Sequence, residues 1–320
     1  MPLTFDMPLE KLRTYQGITP RPADFDAYWE RALEEMRATD PAPAIAPAAF
    51  QAPCAECSDL FFTGVGGARI YAKLMRPRGL TRPGPALLMF HGYAGSSGDW
   101  LNGLGYAAAG FTVAAMDCRG QGGRSEDVGG VRGNTQHGHI IRGLDDAPDK
   151  LLFRQIYLDT AQLARVVMGL DGVDPGRVGA TGGSQGGGLT LACAALVPSI
   201  RRAAPTFPFL CDYRRVWEMD QAKGAYTELA EYFRRFDPLH ERENEIFTTL
   251  GYIDVQHLAP RIRAEVSMAV GLMDTICPPS TQFAAYNKID SAKSLVLYPD
   301  FTHEGLPGLS DRIFQFMLGL

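Results

Sequence analysis

The chain has 320 residues, 46% of them hydrophobic, and a formal net charge of −5. This length can bury a substantial core. The mild charge without a basic stripe argues against nucleic-acid binding, and no apolar run is long enough to span a membrane. Residues 1–16 include Asp6, Glu10, Lys11 and Arg13 and lack the apolar centre of a secretory signal, so we expect a cytoplasmic protein.

Neither a metal site nor a cofactor site is expected. The six cysteines are few for this length and are predicted to be thiols in a reducing compartment. Cys54 and Cys57 form a single C-x-x-C pair with no second pair to complete a zinc site. His137 and His139 lie in a polar loop without a carboxylate pattern suited to a metal.

The N-terminal fifty residues predict an arm and a linker. Residues Pro22–Arg37 place their apolar side chains at helical spacing opposite a charged face, which indicates an amphipathic helix. The proline-rich stretch Pro41–Pro47 is typical of a stiff extended linker. We therefore expect residues 1–50 to precede the main body of a single α/β domain that spans 1–320.

The body of the chain predicts a mostly parallel sheet with helices on both faces. Leu60–Thr63 and Ile70–Met75 bracket a glycine-rich turn and predict an antiparallel hairpin. From Ala86 onwards, short apolar runs alternate with helical segments, as in repeated βαβ units. Strands are predicted at 86–90, 111–116, 178–181, 203–207, 266–271 and 294–298, and helices at 152–170, 189–197, 282–289 and 309–318.

Residues 208–260 interrupt this alternation. They are charged, aromatic and mostly helical in pattern, so we interpret them as an insertion over the C-terminal edge of the sheet and hence over the active site. Their charged residues, among them Glu228 and Glu231, are interpreted as solvated faces or subunit contacts rather than catalytic groups.

Ser184 is the predicted nucleophile. It lies in Gly182-Gly183-Ser184-Gln185-Gly186, between an apolar strand and an Ala/Leu-rich helix. This strand–turn–helix context is that of the nucleophile elbow of an α/β-hydrolase, where the flanking glycines avoid collisions in a tight turn. The helix that follows directs backbone N–H groups towards the reacting atoms.

The partners of Ser184 follow from the chain order serine, acid, histidine of this fold. Of the six histidines, only His303 follows both the elbow and a late strand. Asp274 comes directly after a strand at the same edge of the sheet, and it is the preferred acid. Asp300 is the alternative, but it is only three residues from His303 and would reach that ring awkwardly.

These residue types predict acyl transfer. His303 would take the proton of Ser184 during attack and return it to the leaving group, while Asp274 would fix the histidine tautomer. The backbone N–H groups of Gln185 and Tyr93 are the predicted oxyanion donors.

The remaining candidate site residues are predicted to shape the pocket or brace it. Tyr93, Phe207 and Ile276 would leave little room beyond an acetyl group. Arg119 and Gln121 lie in a glycine-rich loop, where a buried arginine could pair with a loop carboxylate; substrate contact is the alternative.

Three motifs together resemble carbohydrate esterase family seven, the acetyl xylan esterases and cephalosporin C deacetylases. They are Arg119-Gly120-Gln121, Gly182-Gly183-Ser184-Gln185-Gly186 and His303-Glu304. The resemblance runs nearly end to end, including residues 21–29, 138–143 and 274–281.

The resemblance implies removal of acetyl groups from acetylated xylo-oligosaccharides and cephalosporin C. It also implies Ser184, Asp274 and His303 as the triad, Tyr93 and Gln185 as oxyanion donors, and Glu304 as a structural neighbour of the site. Members of the family are cytoplasmic, assemble as hexamers of paired trimers, and are known for perhydrolysis. A homo-oligomer is therefore expected.

Two alternatives stay open at this point. A serine peptidase of the same fold would need a pair of acidic residues that recognise a peptide N-terminus, for which Glu228 and Glu231 could be mistaken. A non-catalytic binding protein of the same fold would lack members of the triad, and none is missing here.

Overall fold

The computed structural model describes residues 5–128 and 138–320. Within them, one sheet of nine strands has the order β1-β2-β3-β5-β4-β6-β7-β8-β9. The strands are β1 (Ala44–Pro47), β2 (Ala55–Thr63), β3 (Arg69–Pro77), β4 (Gly84–Phe90), β5 (Thr112–Met116), β6 (Val173–Gly183), β7 (Arg202–Thr206), β8 (Glu265–Gly271) and β9 (Lys293–Tyr298). The first three strands pair antiparallel with their neighbours, and β5, β4, β6, β7, β8 and β9 are parallel to one another.

Helices cover both faces of this sheet. They are α1 (Leu9–Leu12), α2 (Phe25–Ala38), α3 (Leu101–Ala108), α4 (Leu152–Met168), α5 (Gln185–Leu196), α6 (Tyr213–Glu218), α7 (Thr227–Phe236), α8 (Glu243–Leu250), α9 (Val255–Leu258), α10 (Pro279–Asn287) and α11 (Leu309–Met317). No helix among the described residues is both long enough and apolar enough to cross a lipid bilayer.

The two sides of the sheet have separate cores. Leu88 of β4 packs into the larger core with α2, α4 and α5, whereas Leu87 packs into a smaller core that includes α3 and α11. This alternation follows from the period of two in a strand. Every residue of α5 is buried, which explains why its sequence is apolar or small all round.

The N-terminal arm is part of the packed structure. The predicted amphipathic helix is α2, and its Trp29 is fully buried and donates from Nε1 to the carbonyl of Tyr252, 3.0 Å away. The stretch Pro41–Pro47, predicted as a stiff extended linker, is more than a linker, because Ala44–Pro47 pairs with β2. The extended conformation was predicted correctly, and an edge strand tolerates proline because one side of it needs no hydrogen bonds.

The predicted insertion contains α6, α7, α8 and α9, between β7 and β8. Asp212 ties it to the N-terminal arm by accepting hydrogen bonds from the Tyr15 hydroxyl and the backbone N–H of Thr19, both at 2.8 Å. The arm also holds α10, since the Asp6 carboxylate accepts from the N–H of Ser280 at 2.6 Å and from Arg215 at 2.9 Å. Residues far apart in sequence thus fix the loops at the C-terminal edge of the sheet.

Candidate active site

Ser184 occupies the sharp turn between β6 and α5. Its backbone has φ 57° and ψ −120°, which is strained for any residue with a side chain. The turn is held from both sides, because the N–H of Ser184 donates to the carbonyl of Thr206 at 3.0 Å and its carbonyl accepts from Gly188 at 3.1 Å. Surrounding structure therefore maintains the strain, as expected of a nucleophile elbow.

The glycines beside Ser184 are required by close backbone packing. A Cβ atom on Gly182 would lie 2.5 Å from the carbonyl oxygen of Phe90, and one on Gly186 would lie 2.1 Å from the same oxygen. Neither contact can be relieved by a side-chain rotation, since the obstacle is backbone. The two glycines let the elbow approach the end of β4.

A continuous hydrogen-bonded chain joins Ser184, His303 and Asp274. The Ser184 Oγ is 3.0 Å from Nε2 of His303, and Nδ1 of His303 is 2.8 Å from Oδ2 of Asp274. Asp274 is fully buried. A carboxylate can only accept, so Nδ1 carries the proton and Nε2 is left as the acceptor for the serine hydroxyl.

The loop after β8 fixes the Asp274 carboxylate. Its other oxygen, Oδ1, accepts from the backbone N–H groups of Ile276 at 2.9 Å and Cys277 at 2.8 Å. Asp300, the alternative acid, is exposed. Of the two carboxylates, Asp274 is the one that contacts the histidine.

Gln185 is locked against two other loops by its side chain. Its amide pairs reciprocally with that of Gln121: Gln121 Nε2 donates to Gln185 Oε1 at 2.8 Å, and Gln185 Nε2 donates to Gln121 Oε1 at 3.0 Å. Gln185 Nε2 also lies 3.4 Å from the carbonyl of His91, two residues before Tyr93. The elbow is thus connected to the loop after β4, which carries the other predicted oxyanion donor.

Phe207 lies beside His303, and Ile276 lies on the loop that carries Asp274. The Phe207 ring centroid is 4.4 Å from that of His303, and Phe207 has a positive φ of 31°. Ile276 is half-buried and adjoins the insertion, where its Cδ1 would lie 3.1 Å from a Cβ added to Gly224. Phe207 therefore borders the catalytic candidate His303, and Ile276 lies between the Asp274 loop and the insertion.

Arg119 is buried and acts within the protein framework. It forms a bidentate ion pair with Asp159, through Nε at 2.7 Å and Nη2 at 2.6 Å, and both side chains are buried. The predicted pairing with a carboxylate is confirmed, but the partner is on helix α4 and not on a loop. A helical partner could not be identified from the sequence because it lies forty residues away.

Glu304 organises the loop that carries His303. Its Oε1 accepts from both the N–H and the hydroxyl of Thr302, at 3.0 and 2.8 Å. These hydrogen bonds lower the pKa of the Glu304 carboxyl. The glutamate thus closes a short turn around His303 from the solvent side.

Glu228 is a site residue that the sequence reasoning missed. It was interpreted as part of a solvated face or a subunit contact, but it is 2% exposed and accepts a hydrogen bond from the Tyr93 hydroxyl. Burial raises the pKa of its carboxyl to about 7, although hydrogen bonds from Tyr93 and the backbone of Ile141 act in the opposite direction. One signal was available: Glu228 is four residues before Tyr232, so both lie on the buried face of α7.

One group of three potential metal ligands occurs among residues 5–128 and 138–320, namely Asp274, Cys277 and His303. Asp274 and His303 already bond each other, and burial raises the pKa of the Cys277 thiol well above its usual value. Asp274 and His303 are therefore engaged in a hydrogen bond and Cys277 is a protonated thiol, which is a poor set of metal ligands. Of the two loop histidines considered earlier, His137 lies outside the described residues, and the backbone of His139 donates to the Tyr93 oxygen at 3.0 Å.

Comparison with known proteins agrees with this geometry. A family model described as acetyl xylan esterase matches residues 1–320. The crystal structure of acetyl xylan esterase 1 from Thermoanaerobacterium sp. is 61% identical and superposes with a TM-score of 0.97 over 98% of this chain and 99% of that one. An acetyl xylan esterase from Paenibacillus sp. is 36% identical, with a TM-score of 0.93 over 98% and 99% of the two chains.

A curated relative, the acetyl esterase Axe7A of Xylanibacter ruminicola, is 26% identical over 308 residues. The match covers 92% of this chain but only 65% of the relative, so this chain spans about two thirds of that protein. More distant solved structures, such as a Pyrococcus horikoshii acylaminoacyl peptidase at 16% identity and a TM-score of 0.56, share the fold alone. The nine-stranded sheet, its covering helices and the full-length family match lead to one conclusion: this chain belongs to the acetyl xylan esterase family, serine esterases of the α/β-hydrolase fold that remove acetyl groups.

Proposed function

We propose that this chain deacetylates small O-acetylated substrates through an acetyl-enzyme intermediate on Ser184. The single observation that carries the proposal is the hydrogen-bonded chain from Ser184 Oγ through His303 to a fully buried Asp274. A serine hydroxyl is a weak nucleophile at neutral pH, and this arrangement supplies the base that it needs.

The reaction then proceeds in two halves. His303 Nε2 takes the proton of Ser184 as Oγ bonds to the acetyl carbon, and the same proton passes to the alkoxide of the departing sugar. Water next enters, gives a proton to His303, and attacks the acetyl carbon. Collapse of this second tetrahedral intermediate breaks the bond to Oγ, which recovers the proton, and acetate leaves.

The oxyanion of each tetrahedral intermediate needs two fixed donors. We assign this role to the backbone N–H groups of Gln185 and Tyr93. Gln185 is the first residue of α5, so its N–H has no acceptor within the helix and points out of the helix N-terminus. The reciprocal amide pair with Gln121 and the contact with the His91 carbonyl support a fixed distance between the two donors.

The substrate class rests on the apolar border of the site and on the relatives. Phe207 packs against the histidine ring and Ile276 adjoins the insertion, which favours an acyl group as small as acetyl. The named relatives are acetyl xylan esterases, so acetylated xylo-oligosaccharides are the proposed substrates, with cephalosporin C as a second acetyl ester. Hydrolysis of long-chain p-nitrophenyl esters as fast as the acetate would contradict the small acyl pocket.

The setting of this activity is also a proposal. The six cysteines are all unpaired, as is usual for proteins of a reducing compartment, which supports a cytoplasmic location. A homo-oligomer, a hexamer by the family resemblance, would place the insertion near neighbouring subunits. A single-domain organisation over 1–320, with residues 208–260 over the site, completes the proposal.

Acetate release from acetylated xylo-oligosaccharides tests the function directly. Wild-type protein should release acetate, Ser184→Ala should reduce turnover by several orders of magnitude, and the exposed Ser199→Ala should match wild type. Absence of release from wild type that still labels at Ser184 with an organophosphonate would contradict the substrate assignment.

Two measurements address the competing functions. Cleavage of peptide amides in preference to acetyl esters would favour the serine peptidase. Binding of acetylated sugar by a protein whose Ser184 does not react with the phosphonate would favour the non-catalytic binding protein.

A further inference from the structure

Among the described residues, Glu228 is the only acidic residue of the insertion whose side chain forms a hydrogen bond with the loop that carries Tyr93. It lies in the first turn of α7 and is 2% exposed. A buried carboxylate is costly unless it is paired or fully hydrogen-bonded. The hydrogen-bond donors around this carboxylate therefore show what its burial serves.

Backbone N–H groups surround the Glu228 carboxylate. Oε1 accepts from the N–H of His139 at 3.2 Å, and Oε2 accepts from the N–H of Ile141 at 3.0 Å. Gly138 closes the cradle: it has φ +72°, and a Cβ there would lie 2.0 Å from the carboxylate carbon of Glu228. The segment 138–141 is thus folded around the carboxylate.

The third donor is the hydroxyl of Tyr93, which bonds Oε1. The Tyr93 ring is held on its sides as well, 5.5 Å from the Phe209 ring and 5.0 Å from the His139 ring, measured between centroids. Tyr93 follows β4 in the loop whose backbone N–H we assigned to the oxyanion. Fixing both the ring and the hydroxyl of this residue restricts the rotation of its backbone.

We propose that Glu228, contributed by the insertion, is a positioning residue of the esterase. Its ionised carboxylate accepts hydrogen bonds from the Tyr93 hydroxyl and from N–H groups of segment 138–141. These bonds orient the backbone N–H of Tyr93 towards the acyl oxygen on Ser184. This inference rests on the proposed function. It adds that the insertion helps to build the oxyanion site and does not only cover it.

The ionised form of Glu228 is the one that fits this cradle. The three partners all donate hydrogen bonds to Glu228. A protonated carboxyl would present its own O–H to groups that cannot accept from it, apart from the tyrosine oxygen. The titratable groups that face it are the Tyr93 hydroxyl, whose pKa is raised by burial, and beyond it the His139 ring, whose pKa burial lowers to about 4. Both are uncharged near pH 7. Protonation of Glu228 below about pH 7 should therefore loosen Tyr93.

Glu228→Gln tests the proposal, with Glu241→Gln as the matched control because Glu241 is an exposed glutamate of the same insertion. We expect kcat for p-nitrophenyl acetate to fall about 10- to 100-fold in Glu228→Gln with a smaller change in KM, since misplacement of a catalytic group by about 1 Å has this effect. The variant should also lose the part of the pH dependence of kcat that comes from Glu228, while the part that comes from the base His303 remains. The control should keep both kcat and its pH profile.

Tyr93→Phe provides a second and independent variant, because it removes only the hydroxyl and keeps the backbone donor. It should also lower kcat. The kcat of the double variant with Glu228→Gln should be no lower than that of the more impaired single variant, as expected of residues that act through one contact. Wild-type kcat in either single variant, or fully additive losses in the double variant, would overturn the proposal. A wild type without acetylesterase activity would instead contradict the proposed function.

Discussion

The side-chain amides of Gln121 and Gln185 bond each other in both directions, at 2.8 and 3.0 Å, although the two residues are 64 positions apart. Gln185 is fully buried and begins the helix after the nucleophile, whereas Gln121 lies in the loop after β5. The pair therefore holds the elbow at a defined distance from a neighbouring loop.

Gln121→Ala should weaken both stability and catalysis. The buried Oε1 of Gln185 would lose its donor, which costs about 1 to 3 kcal/mol in the free energy of unfolding. We also expect a lower kcat, because the Gln185 backbone would be less firmly held. Urea denaturation and acetyl ester kinetics measure the two effects, and Gln16→Ala, at an exposed position, should change neither. Full activity and wild-type stability in Gln121→Ala would contradict a role for the pair.

Asp274→Asn should lower kcat by about four orders of magnitude. Asparagine can still accept from the N–H groups of Ile276 and Cys277, but it would present its amide N–H₂ to Nδ1 of His303. The histidine would then carry its proton on Nε2 and could not accept the proton of Ser184. Asp300→Asn, at the exposed alternative acid, should retain wild-type kcat. The opposite pattern in these two variants would reassign the acid.

Two glycines of α3 should respond to alanine with opposite signs. Gly105 is exposed and has open space where a Cβ would be added, so Gly105→Ala should raise the free energy of unfolding by about 0.5 to 1 kcal/mol. A Cβ on the buried Gly103 would lie 2.4 Å from Cε of Met75 and 3.1 Å from Val113, so Gly103→Ala should be destabilising. Equilibrium denaturation of both variants is the measurement. A loss of stability in Gly105→Ala would show that the helix is packed differently.

His257 should make the protein less stable in acid. Burial, assisted by the charge of Lys288, lowers the pKa of this histidine to about 4, whereas an unfolded chain has a histidine pKa of about 6.5. Between these values the unfolded state binds more protons, so the free energy of unfolding decreases as pH falls from about 6.5 to 4. His257→Gln keeps a donor for the Thr19 carbonyl, which lies 3.1 Å from Nε2.

The measurement is urea denaturation at pH 7.5 and pH 4.5. The loss of stability between these conditions should be smaller in His257→Gln by about 2 kcal/mol. His240→Gln serves as the control, because His240 is exposed and contacts the Glu243 carboxylate, so its removal should not make the loss of stability smaller than in wild type. Equal losses in all three proteins would mean that His257 is protonated in the folded state.

Local pattern was sufficient to predict the central strands and the elbow. The alternation of apolar runs and helical segments predicted β4 to β9, and the glycines around Ser184 predicted the turn that the structure contains. The order of serine, acid and histidine along the chain selected three residues that lie within 3.0 Å of their neighbours. Their catalytic role stays a proposal.

Contacts between residues far apart in the chain could not be predicted from the sequence. Nothing near Arg119 indicated that its partner would be Asp159 on α4, and nothing near Glu228 indicated Tyr93, which is 135 residues away. In both cases a charged residue on a helix was interpreted from its own neighbours, and burial reversed the expectation for Glu228. Ala44–Pro47 was extended as predicted, but only the register with β2 identifies it as a strand.

The contact between α2 and the insertion has a consequence for synthesis of the protein. Trp29 bonds a carbonyl that lies 223 residues further along the chain. At about 5 to 20 residues per second, the ribosome needs roughly 10 to 45 s to reach Tyr252 after Trp29 has been made. During that interval α2 can pack only on elements made earlier, such as α4 through Tyr157. The part of its apolar face that contacts the insertion stays uncovered and available for self-association until the insertion has been made.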